Sequence, residues 1–169
     1  HIDPVGPGPF TGHIVAENLK ELGISGTLIN HSEKQLGKDQ IEKCIRIAKK
    51  LNLTSVCCAA TPKEAGEIAK FNPDFIAIEH PELIGTGISV SAAKPEVVTE
   101  GIYEVRKSNS DVVVLCGAGV ASGEDIKKAL ELGTYGVVLS SYFVKSKDPE
   151  KLLIDFAKAI CAKTKLSES

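Results

Sequence analysis

The feature that most constrains this chain is a repeat: a short apolar run rich in β-branched residues, a loop, then an amphipathic helix. Five runs carry it, at 26–30, 53–58, 74–78, 112–116 and 136–140. They are almost continuously apolar instead of alternating, the pattern of strands buried on both faces. The intervening stretches have helical period. Residues 39–51 place Ile41, Cys44, Ile45 and Ala48 on one face, and 62–71 and 95–107 follow the second and third runs. Ser122 is placed to cap a helix that runs through Lys127 and Leu130 and stops at Gly133. Asp148-Pro149 opens a last helix with Leu152, Leu153, Phe156 and Ile160 facing inward. A first helix is expected near 14–22, after a stiff loop containing Pro4, Pro7 and Pro9. Strands alternating with helices predict an α/β fold with a parallel sheet, read as a single domain over 1–169.

Composition narrows the function classes. The 20 basic and 22 acidic side chains give a net charge of −2 and show no basic stripe, which argues against a nucleic-acid partner. No apolar run is long enough to span a bilayer, so no membrane partner is expected. The five cysteines are odd in number and mostly lie inside apolar runs. They read as reduced, buried residues of a cytoplasmic protein, with no metal ligation expected.

In parallel α/β folds the site lies at the C-terminal ends of the strands. The first run ends Asn30-His31-Ser32-Glu33 and the third Ile78-Glu79-His80-Pro81. The fourth ends Cys116-Gly117-Ala118-Gly119 and the fifth Ser140-Ser141. A histidine and a carboxylate suffice to move a proton while polarising a carbonyl. Small residues ahead of helix starts offer backbone N–H groups to an anion such as phosphate. The residues alone therefore indicate acid–base chemistry on a phosphorylated small molecule. The long connection 80–91, with Ile84-Gly85-Thr86-Gly87, has the glycines of a lid.

Several segments together resemble the triosephosphate isomerase family. Thr27-Leu28-Ile29-Asn30-His31-Ser32-Glu33-Lys34 is similar to its catalytic-histidine segment. Ile76-Ala77-Ile78-Glu79-His80-Pro81-Glu82-Leu83-Ile84-Gly85-Thr86-Gly87 is similar to its catalytic-glutamate and lid segment. Val114-Leu115-Cys116-Gly117-Ala118-Gly119-Val120 resembles its phosphate loop, and Thr11-Gly12-His13-Ile14 with Lys94-Pro95-Glu96-Val97-Val98 is closest to the archaeal branch. The resemblance implies a (β/α)₈ TIM barrel and the interconversion of dihydroxyacetone phosphate and glyceraldehyde 3-phosphate, without cofactor or metal. It implies Glu79 as the base and His31 as the neutral electrophile, kept neutral by a helix start just beyond it. Glu33 is implied as a supporting acid near a lysine. Ile84, Gly85, Gly119, Ser140 and Ser141 are implied to hold the phosphate. It also implies a homodimer or homotetramer.

The chain departs from the family in places. The family's Asn-x-Lys strand is not found; Asn18-Leu19-Lys20 has the letters but falls in a helical pattern. The five units then correspond to strands four to eight, and the chain, which has no Met, reads as the C-terminal two-thirds of a barrel, inactive alone. About 60 to 70 residues are expected to precede it, against about 200 or more for complete barrels. An open remnant of this kind exposes two strand edges and one inner face. His80 and Ser89 stand where the family has Pro at the lid hinges, and Tyr142 where archaeal relatives have a small residue. These departures motivate an alternative, a non-catalytic phosphate-ligand-binding barrel relative. A dinucleotide-binding reading of Gly117-Ala118-Gly119-Val120-Ala121-Ser122-Gly123 fails on spacing and on the absence of an acidic residue after the next strand.

Overall fold

The computed structural model describes residues 1–83, 86 and 88–164. Helix α1 (Ala16–Glu21) leads into β1 (Gly26–Ile29), α2 (Lys38–Lys50), β2 (Thr54–Ala59), α3 (Pro62–Ala69) and β3 (Phe75–Ile78). A 3-10 turn, η1 (Pro81–Leu83), and the short α4 (Val90–Ala93) occupy the connection to α5 (Pro95–Ser108). Then come β4 (Val113–Cys116), α6 (Gly123–Glu131), β5 (Gly136–Val137), α7 (Ser141–Val144) and α8 (Pro149–Thr164). Asn18-Leu19-Lys20 lies in α1, as its helical pattern requires.

All strand pairs are parallel, and the sheet order is β1-β2-β3-β4-β5. A sheet that keeps chain order throughout winds in one direction, which is barrel-wall topology. A doubly wound dinucleotide sheet reverses its order partway.

Cross-strand partners share a face, so register separates two rows. Ile29, Cys57, Ile76 and Val114 pair in sequence across the sheet and are all buried. Their side of the sheet belongs to the main core, with Ile41, Ile45, Ile68, Val98, Ile102 and Val105 from α2, α3 and α5. The other row is Leu28, Val56, Phe75 and Val113. Here burial is incomplete: Leu28 is 38% exposed and the other three are half-buried. The helix-covered face is the core, and the opposite face opens toward a cleft.

Two expectations need correction. The fifth run, expected as a strand over 136–140, pairs only at Gly136 and Val137. Val138 adds one further bond to the Cys116 carbonyl (2.9 Å) before the chain turns into α7. Among the described residues β5 has a neighbour on one side only, so little holds a longer strand in place. The last helix does bury Phe156, which packs with Leu152 against Val120, Ile126, Val137 and Leu139. Leu153 and Ile160, expected to face inward, are 51% and 46% exposed. A two-residue strand, α6 and the four-residue α7 are too narrow to cover the whole apolar surface of α8.

This asymmetry of the two faces is measurable. Ile45→Ala should lower the unfolding free energy in urea by about 2–5 kcal/mol. Leu28→Ala, on the open face, should cost under about 1 kcal/mol. A larger loss at Leu28 than at Ile45 contradicts the placement of the core.

Candidate functional site

The loop that carries His31 rests on a polar mount. Asn30 is buried with φ 62°, the left-handed region that Asn tolerates better than most residues. Its Nδ2 donates to the Cys58 carbonyl (3.0 Å) and to Glu64 Oε1 (2.9 Å), and its Oδ1 accepts from the Leu36 N–H (2.9 Å). Glu64 Oε2 accepts from the Ala60 N–H (2.8 Å). The ends of β1 and β2 and the start of α3 are thereby joined. Both Asn30 and Glu64 escaped the sequence reading, because their partners lie 28 to 34 positions apart.

On this mount the His31 Nδ1 accepts the Glu33 backbone N–H at 3.3 Å. An accepting nitrogen carries no proton, so the ring proton sits on Nε2. Nε2 is 3.5 Å from Glu79 Oε2. This corrects the expected helix start just beyond His31. α2 begins only at Lys38, so the local group acting on Nδ1 is a turn N–H instead of a helix start. The Glu33 carboxylate is mostly exposed and also lies near Nδ1, at 3.5 Å.

Glu79 continues the β3 ladder through its N–H to the Ala59 carbonyl (2.9 Å) and is itself buried. Its Oε2 is buried without a hydrogen-bond partner among the described residues. Burial therefore raises its carboxyl above the usual carboxylate range; His31 and the Cys58 thiol pull it back, and Glu33 pushes it further up. Gly117 forms the opposite wall. A Cβ there would collide with the Glu79 side chain, so this glycine makes room for the carboxylate as well as for a turn. Burial also raises the Cys58 thiol, and it pushes that of Cys116 up to about 12; neither is a thiolate.

The loop after β4 puts Ala118 at φ 63° and Gly119 at φ 70°. For alanine that conformation costs about 1–2 kcal/mol, strain of the kind that clusters at functional sites. A Cβ at Gly119 would strike the Ile88 carbonyl, so the connection after β3 lies directly on this loop. Ser122 caps α6, its Oγ accepting from the Asp125 N–H (3.2 Å). The Asp125 carboxylate in turn accepts from the N–H groups of Ala121 and Ser122.

These segments enclose an open cleft of about 1120 Å³. His31, Glu33, Glu79, Gly119, Ser140 and Ser141 all line it. Ile84 and Gly85, also expected at the site, lie outside the described residues. Tyr142 lines the cleft and is half exposed. Lys34, Lys145, Lys147 and Lys151 line it too, cations that the sequence reading did not single out. Among the described residues no cluster of His, Cys, Asp or Glu is placed to hold a metal ion, and no helix is long and apolar enough to cross a membrane.

A barrel-type sheet with an imidazole and a desolvated carboxylate facing each other at its C-terminal rim defines a class: α/β-barrel proteins built for proton transfer. The comparisons narrow it. The family model for triosephosphate isomerase matches residues 1–160, and the chain belongs to that family. It is 49% identical over 160 residues to the triosephosphate isomerase of Methanocaldococcus jannaschii, covering 95% of this chain and 73% of that one. Against the Saccharolobus solfataricus enzyme it is 47% identical over 156 residues, covering 92% and 68%. It thus spans about 70% of the length of these relatives. Among solved structures it resembles thiamine phosphate pyrophosphorylase from Pyrococcus furiosus (TM-score 0.60, 19% identity, 85% of this chain and 63% of that one), a likeness of fold alone.

Because the folded chain holds the Glu79 proton to higher pH than the unfolded chain, it binds more protons between the two ionisations. Stability should therefore fall as pH rises through that window. Glu79→Gln cannot ionise, so it should resist urea better than the wild type above the ordinary carboxylate range. The advantage should shrink toward about pH 3, where both states of the wild type are protonated. An advantage that is equal at both pH values contradicts the desolvated carboxylate.

Proposed function

We propose that this chain carries the proton-transfer centre of a triose-phosphate isomerase, with Glu79 as base and His31 as electrophile. The observation that carries the reading is the 3.5 Å approach of the His31 Nε2 and the buried Glu79 Oε2 on the rim of one cleft. In dihydroxyacetone phosphate, Glu79 removes a proton from the hydroxymethyl carbon. The Nε2–H of His31 donates to the carbonyl oxygen and stabilises the negative charge that develops there. In the resulting enediolate the hydroxyl proton on the first carbon passes to the former carbonyl oxygen, and Glu79 returns its proton to the neighbouring carbon, which gives glyceraldehyde 3-phosphate. Burial raises the basicity of Glu79, which brings it closer to the task of removing a carbon-bound proton near neutral pH.

The phosphate is assigned to Gly119, Ser140 and Ser141, together with Ile84 and Gly85, and Glu33 to a supporting acid beside His31. What supports this is the common cleft of Gly119, Ser140 and Ser141 and the open backbone at Ala118 and Gly119. The reading extends to a single-domain, cytoplasmic, homo-oligomeric protein. Its support is the balanced charge and the exposed apolar side chains of α7 and α8, Val144, Leu153, Ile154 and Ile160.

The alternative, a phosphate-binding relative without turnover, draws on Tyr142 in the cleft. One assay separates the two. In the protein as its gene encodes it, Glu79→Gln should lower kcat by about two to four orders of magnitude with KM little changed. A wild type that binds 2-phosphoglycolate but does not isomerise triose phosphate favours the alternative. A Glu79→Gln variant with normal kcat overturns the base assignment.

A further inference from the structure

His80 directly follows Glu79, and Lys94 directly precedes α5. The Lys94 Nζ and the His80 Nε2 are 2.9 Å apart across this 14-position separation. An ammonium group has donors only, so Lys94 donates and His80 accepts. The ring proton therefore resides on Nδ1, which is buried without a hydrogen bond among the described residues. Glu82 Oε2 lies 3.8 Å from that Nδ1 and 3.6 Å from the Lys94 Nζ. The charged groups facing the ring are thus Lys94, from the approach to α5, and Glu82, from η1. Glu79 adjoins it at the end of β3.

The described residues between these two ends touch both the cleft and its far wall. Thr86 lines the cleft. The Ile88 carbonyl lies on Gly119. Ser89 and Ser91 are buried with their hydroxyls 2.5 Å apart, and Ser91 Oγ donates to the Asp125 carbonyl (3.2 Å). A bond between the two ends of such a connection restrains the described residues next to them, from Ile88 to Ala93. It also holds the backbone immediately after Glu79.

We propose that His80 and Lys94 are positioning residues: a tie that closes the base of the connection after β3 and holds Glu79 in register with Gly119, made only while the His80 ring is uncharged. Protonation of Nε2 turns the acceptor into a second donor facing a cation, and the tie opens. The tie itself is independent of the isomerase reading; its effect on ligand binding rests on that reading.

Hydrogen exchange read by mass spectrometry on the intact chain tests it. His80→Leu and Lys94→Met, which remove one partner each, should speed exchange of the amides at 88–94 by roughly five- to tenfold. His80→Gln, which keeps an acceptor, should exchange as the wild type does. Nitrogen-15 NMR of the wild-type imidazole needs no destabilising substitution, so a variant that fails to fold does not decide the matter: the neutral His80 ring should carry its proton on Nδ1 and leave Nε2 as the acceptor. Affinity for 2-phosphoglycolate should fall in His80→Leu and Lys94→Met and be kept in His80→Gln. Unaltered exchange in both tie-breaking variants, or a wild-type His80 ring that carries its proton on Nε2, overturns the tie. Exchange that behaves as stated while 2-phosphoglycolate fails to bind the protein as its gene encodes it leaves the tie standing and removes the phosphate-site reading.

Discussion

Strictly parallel pairing in chain order is the constraint on which the rest depends. With β1 to β5 side by side and all pointing one way, every strand-to-helix loop emerges at the same rim. His31, Glu79, Gly119 and Ser140 lie far apart in sequence, yet each follows a strand end and each lines one cleft. Hydrophobic burial on the helix side supplies the stability, and the rim is free to be strained and polar.

The rim uses that freedom. Ala118 sits in a left-handed conformation, and Glu79 is buried with an oxygen left without a partner. Both features cost stability, and the buried carboxylate is what the base proposed for this site requires, since a little-solvated carboxylate is the stronger base. Gly117 shows how closely the shape is matched to this purpose, since even a methyl group there would displace the carboxylate. His31 is arranged in the same manner. A turn N–H takes one ring nitrogen and thereby aims the proton on the other toward Glu79.

Much of this is legible in the sequence, and the reasons are physical. The apolar runs give four strands to within a residue or two, and helices α2, α3, α5 and α6 fall where capping residues and apolar period place them, while the short α4 falls where the sequence reads as a loop. His31 and Glu79 are readable because they stand directly after such runs. What could not be read depends on distant partners. The anchoring of Asn30 needs Cys58 and Glu64, the role of Gly117 needs the Glu79 side chain, and His80 gains meaning only beside Lys94. The exposed half of α8 and the shortness of β5 are failures of another kind. Period shows that a face is apolar, but it does not show how much neighbouring surface exists to cover it.

The central claim is that Glu79 is a desolvated carboxylate held opposite an imidazole. Carbon-13 NMR of the protein labelled at its glutamate carboxyl carbons tests this most directly. One resonance, absent in Glu79→Gln, should titrate above the others, because burial opposes its ionisation. In His31→Leu it should move higher still, because the imidazole now pulls it down. A Glu79 carboxyl that titrates with the exposed glutamates, or one unmoved by the loss of His31, contradicts the account.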